Sequence, residues 1–509
     1  MRIYLPLLAA ALAVSFISVA QKPVLTYPFK FTHGFQGVTN NGVAFYVDQT
    51  VDNVALVLHD LKKADYVMTD KDMKVVNHFS LSLDNTIFKG TQGDQKYLGG
   101  SSNGKGLYNF VYDIFGQPVM MMGGGEHFRI ETVNFNDGTV SQKDFVKKSE
   151  GRNQVLGLSD GGKFYFMSAD DAHDALVVHV LNDDGSIAEK SIPFPIPQSA
   201  GRKRNSVSEY LKETKAVKED EEAEMETATR SSKCFITKDN FVFVVNDHSS
   251  PTHIITINKG SLALTERFID HSAITGDEKD KADINSFIMD DKIFSLSVSR
   301  KALRIGVYDG ASGKALKTIE MTEENYTKLL SVQPEETIRK GSKEDEKDLD
   351  DYKALLKELD KRTSGILVTK TPDGRYKITI GTYDHIVERT SSGGGITTGI
   401  STVPGGTAGS IATGGATYFV SNYVPGISTY TTGGSNYFRT ATCTMLLDPA
   451  TLAPVKGKVR PSPGTQIKDF MDNRDGTMRR QFSIGGKEYF GYYNKDNEAY
   501  EVVNIPLKK

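Results

Sequence analysis

Residues 153–194 alternate short apolar runs with polar turns, and this pattern limits the possible fold more than any other feature of the chain. The stretch reads NQVLGLSDGGKFYFMSADDAHDALVVHVLNDDGSIAEKSIPF. Its β-branched and aromatic runs predict a short first strand and then strands at Lys163–Ser168, Ala175–Leu181 and Ile187–Ile192. Turns at Asp160-Gly161-Gly162 and Asp183-Asp184-Gly185 and a polar break at Asp170–Asp174 separate the strands. One such four-stranded meander cannot bury both faces of its sheet, so copies must pack on one another.

A turn of this type recurs along the chain. Gly138 and Gly185 lie 47 positions apart, and Gly260 and Gly310 lie 50 apart. Charged or polar inserts fill the larger gaps. The turns expected before the last strand of each unit are Asp70-Lys71-Asp72, Asp137-Gly138, Asp184-Gly185, Lys259-Gly260, Asp309-Gly310, Asp448-Pro449 and Lys495-Asp496. A period of about 40–50 residues with several short strands per unit is typical of β-propellers.

On these repeats the chain resembles the seven-bladed β-propeller superfamily from about Phe35 to Ile505. The resemblance implies an all-β fold: a β-propeller of about seven four-stranded blades with helical and Gly-rich inserts. It names no subfamily, because the sequence has no Trp-Asp dipeptide, no kelch double-glycine pattern and, without tryptophan, no Asp-box. Six or eight blades, or a pair of stacked β-sandwiches, are the alternatives.

We expect one β-propeller domain over residues 21–509. Three inserts interrupt it, at 200–230, 322–362 and 385–437. The first is charged, with an acidic run at Glu219–Glu222, which is typical of a solvated helix or a disordered loop. The second carries an apolar helical stripe that packs on the side of the propeller or on another protein. The stripe comprises Leu349, Tyr352, Leu355, Leu356 and Leu359.

The third insert is rich in Gly, Ser and Thr, and its second half adds Tyr418, Tyr423, Tyr430 and Tyr437. It interrupts the sixth repeat between two predicted strands. Tyr-rich and Gly-rich loops on a rigid scaffold are frequent sites of adaptable contacts. The insert is therefore either a contact surface or an uninvolved loop.

The N-terminus indicates export. Residues 1–20 place Arg2 before an apolar run from about Leu5 to Ile17, and Ser18 and Ala20 suit signal peptidase. The apolar run is shorter than the ~20 residues that span a bilayer, so we predict a cleaved signal peptide at 1–20 rather than an anchor. The mature protein is expected to be periplasmic or extracellular, without a membrane span.

Charge and cysteine content exclude two classes of protein. The 61 basic and 64 acidic residues give a net charge of −3, which argues against a nucleic-acid binder with a basic surface. Cys234 and Cys443 are the only cysteines, so the chain is no disulfide scaffold. Both lie in apolar runs of different repeats and are predicted to be buried thiols rather than a bridge.

No short catalytic or metal-binding motif is present, and we predict no catalytic residue, metal or cofactor. Asp472–Gly476 lacks the ligand spacing of a calcium loop. Three successive methionines at 120–122 beside His127 cannot converge on copper, because strand side chains alternate between faces. His173 and the pair His248 and His253 show no recognisable acid and nucleophile.

Three functions are compatible with these observations. The first is an exported, non-catalytic scaffold that binds another extracytoplasmic protein or a surface polymer. The second is an extracytoplasmic hydrolase whose carboxylates come together at the mouth of the propeller channel, since such a site leaves no local motif. The third is a metal- or ligand-sensing propeller. The sequence favours the scaffold and leaves its binding residues unknown.

Overall fold

The computed structural model describes residues 22–31, 42–60, 63–82, 95–114, 125–148, 152–197, 206–218, 222–246, 251–276, 282–340, 343–349, 351–389, 434–459, 461, 463–472, 474 and 476–507. The predicted signal peptide lies outside these residues, as do 390–433 of the third insert and Met120–Met122.

The described residues form seven sheets, which we number in chain order. β1 (Leu25–Pro28) precedes sheet I, which comprises β2 (Val43–Asp48), β3 (Asn53–His59), β4 (Lys63–Asp70) and β5 (Val75–Ser82). Sheet II comprises β6 (Gln95–Ser102), β7 (Leu107–Ile114), β8 (Gly125–Asn134) and β9 (Thr139–Lys148). Sheet III comprises β10 (Arg152–Asp160), β11 (Lys163–Asp170), β12 (Ala175–Leu181) and β13 (Ile187–Pro193).

Sheet IV comprises β14 (Lys215–Lys218), β15 (Ser232–Ile236), β16 (Asn240–Val245), β17 (Thr252–Asn258) and β18 (Leu264–Ile269). Sheet V comprises β19 (Asp283–Met289), β20 (Lys292–Val298), β21 (Leu303–Asp309) and β22 (Ala315–Met321). Sheet VI comprises β23 (Leu330–Lys340), β24 (Lys343–Asp348), β25 (Ser364–Lys370), β26 (Tyr376–Arg389), β27 (Gly434–Leu447) and β28 (Pro454–Val455). Sheet VII comprises β29 (Thr477–Ile484), β30 (Lys487–Asn494), β31 (Ala499–Ile505) and β1.

The described helices are short. They are α1 (Val207–Tyr210), α2 (Met225–Thr229), α3 (Ser272–Thr275), α4 (Tyr326–Leu329), α5 (Tyr352–Lys361) and α6 (Pro463–Asp472). In sequence, α1, α3, α4 and α6 lie between successive sheets, whereas α2 lies between strands of sheet IV and α5 between strands of sheet VI. The first insert thus contains two helices and β14 within its described part, where the sequence indicated a solvated helix or disorder. β14 pairs parallel to β15 and extends sheet IV.

The chain divides into two compact units. Unit 1, residues 1–89 and 470–508, contains sheets I and VII; unit 2, mainly residues 90–469, contains sheets II–VI. In unit 1, β1 pairs with β31, so the start of the described chain completes a sheet built from its end. Leu25, Phe45 and Phe482 belong to the core that joins the two sheets.

Successive sheets of unit 2 pack face to face around aromatic contacts. One edge-to-face pair bridges each neighbouring pair of sheets, with ring centroids 4.8–5.1 Å apart. From sheet II to sheet VI these pairs are Phe128–Phe166, Tyr165–Phe241, Phe235–Phe287 and Phe294–Tyr376. Burial decreases toward one side of each sheet: β12 is buried throughout, whereas the neighbouring last strand β13 is mostly exposed.

These features define an all-β fold of the β-propeller type, as the sequence predicted. All seven predicted turns join consecutive strands of one sheet. The first six precede the last strand of their sheet in sequence, and Lys495-Asp496 joins β30 to β31. Sheet VI departs from a simple meander, because its order is β24-β23-β27-β26-β25 and β23 comes from the second insert. Four of the five residues of that insert's apolar stripe lie on α5 and Leu349 precedes the helix; all five pack into the core of sheets V and VI.

Candidate functional site

Two of the inserts emerge from one edge of sheet VI. Successive antiparallel strands run in opposite directions, so the connection into β25 and the connection from β26 to β27 lie at the same edge. The second insert leads into β25 at Ser364, and the third leaves β26 after Arg389 and re-enters β27 at Gly434. We call this edge, with the helices that cover it, the insert edge.

The first insert reaches the insert edge through α2. This helix precedes β15 of sheet IV in sequence but packs against β25 and β26 of sheet VI. Gly365 and Gly381 face each other on these strands and leave room for it. A Cβ on Gly365 would lie 2.6 Å from the carbonyl carbon of Ala228 and the backbone nitrogen of Thr229, a closer approach than any side chain allows. We call the pair Gly365 and Gly381 the glycine seat.

A buried ion-pair cluster joins α5 to the strands of sheet VI at this edge. The Arg362 guanidinium lies 2.7 Å from Glu358 Oε2 and 2.9 Å from Asp384 Oδ2. Its Nη2 lies 3.5 Å from Glu336 Oε1, and Arg439 also pairs with Glu336. The Arg362 and Glu336 side chains are 6% and 8% exposed, so the pairs are largely shielded from water. These five residues form the junction cluster.

A second group of charges holds α2. Arg230, which follows α2, pairs with Glu213 and lies 3.0 Å from Glu226 Oε1. Lys215 of β14 lies 3.5 Å from the same oxygen. We call these four residues the α2 cluster. The junction cluster joins the second insert to the strands that flank the third. The α2 cluster pairs residues of the first insert with one another, and α2 meets sheet VI by packing against β25 and β26.

Neighbouring residues of β26 connect the two sets. Asp384 contacts the junction cluster, and burial lowers the pKa of the next residue, His385, against the opposing charge of Glu226. The His385 ring stacks on Phe438 of β27, with centroids 4.8 Å apart. Adjacent strand residues point to opposite faces, so β26 carries charge contacts on both of its faces.

The pKa values of two carboxyl groups in the junction cluster, Asp384 and Glu336, shift in opposite directions. Burial raises the pKa of Asp384 despite the nearby Arg362 and Arg439. Burial also acts to raise the pKa of Glu336, but the hydrogen bond and charge of Arg439 outweigh it and the pKa lies below its usual range. Opposite shifts in neighbouring carboxyl groups are a feature of acid–base sites, and structural ion networks also produce them. Because two guanidinium groups hold the buried Glu336, a structural role explains this cluster better.

The sequence showed no recognisable partner for His253. In the structure His253 lies in a separate cluster of polar side chains on sheet IV. Its Nδ1 lies 2.9 Å from the Tyr210 hydroxyl and its Nε2 lies 2.8 Å from Glu266 Oε2. The exposed Phe268 stacks on the ring at 4.3 Å. The imidazole is 1% exposed, and burial lowers its pKa although Glu266 opposes the shift. This arrangement ties α1 to β17 and β18 and shields the imidazole from solutes.

The remaining residues singled out in the sequence do not form a reactive site. Cys234 and Cys443 are free and buried, as predicted, and burial raises the pKa of both thiols. The exposed His173 lies 3.0 Å from Asp170 Oδ1. His248, Asn473 and Asp475 lie outside the described residues.

Within the described part of the chain, no three His, Cys, Asp or Glu side chains come together in a way that could hold a metal ion. None of the described helices has the length and apolar content needed to cross a bilayer. A cavity of about 10 Å³ lies in the core of unit 1 beside Leu25, Phe45 and Tyr500. That volume holds about one water molecule, so this cavity is not a ligand site.

Comparison with known proteins identifies no relative by sequence. No protein-family profile matches the chain. No curated protein matches it either. Similarity to solved structures is distant, and several of these structures are β-propeller domains.

The β-propeller domain of the trilobed protease from Pyrococcus furiosus gives a TM-score of 0.26 at 9% identity, covering 79% of this chain and 78% of that one. The WD40 domain of SCAP from fission yeast gives 0.27 at 9% identity, with coverage of 71% and 64%. A puromycin hydrolase gives 0.27 at 10% identity, with coverage of 70% and 44%. The chain thus spans less than two thirds of the last two proteins. The class of the protein, an all-β β-propeller, rests on its own sheets.

Proposed function

We propose that this chain is an exported, non-catalytic β-propeller protein that binds another extracytoplasmic protein or a surface polymer through the insert edge. The observation that carries the proposal is the meeting of three unlike inserts at one edge of sheet VI. Binding residues are commonly placed on loops held by a rigid scaffold, and the insert edge has this organisation.

The construction of the insert edge supports a role that depends on shape. The glycine seat and the two ion-pair clusters fix α2, α5 and the β26–β27 hairpin relative to one another. Buried ion pairs add little net stability, but they fix geometry when both partners are present. A rigid edge that carries the long, Tyr-rich third insert suits recognition of a partner surface better than catalysis on a small substrate.

Replacing residues 390–433 with Asn-Gly tests the proposal. Arg389 and Gly434 are directly paired, so a two-residue turn can close the hairpin without disturbing β26 or β27. The variant should fold normally and lose its partner in pull-downs from the extracytoplasmic fraction. The matched control replaces 115–124, between β7 and β8 of sheet II, and should retain the partner. Equal recovery by both variants would refute the role of the insert edge.

Export is tested separately. Fractionation should place the protein outside the cytoplasm, and N-terminal sequencing of the mature chain should begin at Gln21. A full-length chain beginning at Met1 in the cytoplasm would contradict export and leave the binding role to be judged by the deletion experiment.

The alternative, a hydrolase, is favoured by one observation: Asp384 and Glu336 share Arg362 and their pKa values shift in opposite directions. Purified protein would be assayed with fluorogenic glycosides, esters and peptides beside Asp384→Asn and Glu336→Gln variants. Turnover that both variants abolish would replace the binding proposal with a catalytic one.

A further inference from the structure

Lys233 of β15 is a buried amine that contacts no carboxylate among the residues that the structure describes. The residue is 0% exposed. Among the described residues, its Nζ has two hydrogen-bond acceptors: the Arg230 carbonyl oxygen at 2.6 Å and Asn285 Oδ1 at 3.0 Å. Both acceptors are uncharged. The Asn285 amide also donates to the Arg230 carbonyl at 3.3 Å, so this carbonyl is a shared anchor between sheets IV and V.

The two acceptors equal in number the N–H donors of an uncharged lysine amine. A neutral lysine amine has two N–H donors, whereas an ammonium has three and carries a charge that is costly to bury. The two contacts satisfy the neutral form and leave the third N–H of the charged form without an acceptor. Consistent with this geometry, burial lowers the pKa of Lys233 to about 7.

The anchored carbonyl lies at the end of α2. Arg230 is the residue after the helix, and Ala228 and Thr229 immediately before it occupy the glycine seat. The Lys233 hydrogen bond therefore fixes the C-terminal end of α2. The α2 cluster holds the same helix through charged side chains. Once Lys233 is charged, it needs water or another acceptor, and the end of a five-residue helix is the nearest element that can move to admit them.

We propose that Lys233 acts as a latch: uncharged, it holds α2 on the glycine seat, and its protonation releases α2. Release uncovers Gly365 and Gly381 at the insert edge. The latch would let the local pH outside the cytoplasm change the shape of this edge. It does not depend on the proposed binding role, because the opening of α2 is measured without any partner.

Other charged groups face the same region, and their titration must be distinguished from that of Lys233. They are Glu213 and Lys215 from the β14 segment, Glu226 and Arg230 from the α2 segment, Asp283 from β19 and His385 from β26. Of these, His385 is a second candidate for titration between pH 5 and 8. Lys215 is a matched control, because it is a lysine on the paired strand that has a carboxylate partner.

Amide hydrogen exchange of the full chain between pH 5.5 and 8.5 tests the latch. The reporters are the Ala228 and Arg230 amides, bonded to Glu224 and Thr227 carbonyls, with protection factors corrected for intrinsic exchange. If opening takes up one proton, their protection should fall roughly tenfold per pH unit from pH 8.5 to about 7, the pKa of Lys233 in the closed state, and level off at lower pH. Peptides from β16 and β17 should change much less.

Substitutions identify the group that titrates. In Lys233→Gln, whose amide keeps two N–H donors, α2 protection should be independent of pH; Lys215→Met and His385→Asn should keep the pH dependence. If the protection of α2 in the wild-type protein is the same at pH 5.5 as at pH 8.5, the proposal is overturned even if a variant fails to fold. A pH dependence that persists in Lys233→Gln, or one that disappears in His385→Asn, would also overturn it.

Discussion

In unit 2, hydrogen bonds from neighbouring groups set the protonation state of individual buried side chains. His271 shows this clearly: the Thr252 backbone N–H lies 3.3 Å from His271 Nε2, so this nitrogen accepts and carries no proton. Thr252 Oγ1 lies 2.7 Å from the same atom and 2.9 Å from Ser286 Oγ, which links sheet IV to sheet V. Burial lowers the pKa of His271 to about 4.

This pKa predicts a loss of stability in acid. The unfolded chain takes up the His271 proton near its usual pKa of about 6.5, whereas the folded chain does so near 4, so stability falls as pH falls between these values. The full difference is about 3 kcal/mol. Urea unfolding at pH 7 and pH 4.5 should show His271→Gln, which keeps an acceptor, losing about 2 kcal/mol less than wild type. Equal losses in both proteins would contradict the assignment.

The glycine seat predicts a position-specific effect of one methyl group. Gly365→Ala would place Cβ 2.6 Å from the α2 backbone and should cost about 1–3 kcal/mol of unfolding free energy, because the core is overpacked there. Gly157→Ala in β10 is the control. Its Cβ would meet no atom closer than 3.6 Å, so its stability should stay near that of wild type or rise. Similar losses for both variants in chemical denaturation would exclude close packing of α2.

At the scale of elements, the shortest strand of unit 1 pairs the start of the described chain with its end. β1 has four residues, and Leu25 pairs with Val502 of β31 while its side chain enters the core of sheets I and VII. The pairing joins residues far apart in sequence, so a large loop-closure entropy opposes it and side-chain burial must compensate.

Leu25→Ala should therefore destabilise the protein by about 2–5 kcal/mol, the usual range for a buried leucine. The adjacent Val24 is 46% exposed, and Val24→Ala should change stability by no more than about 0.5 kcal/mol. Thermal and urea unfolding of the two variants provide the comparison. A Leu25 variant as stable as the Val24 variant would show that β1 does not hold sheet VII together.

The predictable elements are those whose signals are local. Asp-Gly and related turns located one strand connection in each of the seven sheets, because these residues favour turn geometry through local backbone effects. β1 was missed, since four residues without a turn carry no periodicity. The junction cluster was also beyond sequence reasoning: Arg439 and Glu336 meet across a strand pairing between segments about a hundred residues apart. The order of sheet VI was missed because β23 belongs to an insert.

At the scale of the whole chain, a regular series of sheets carries one irregular edge. The sheets supply cores and aromatic contacts that repeat from one sheet to the next, whereas α2, α5 and the β26–β27 hairpin occur at the insert edge of sheet VI. Because function resides in sites placed on folds rather than in folds themselves, this edge is where the function of the chain should be sought.

A photo-crosslinking amino acid at two positions of sheet VI tests this claim most directly. His385 is exposed at the insert edge, and Asp373 is exposed in the turn between β25 and β26 at the opposite edge. Illumination of the protein in its native compartment should give one reproducible adduct from position 385 and none from position 373. The same adduct at both positions, or an adduct at 373 alone, would contradict the assignment of the insert edge as the binding surface.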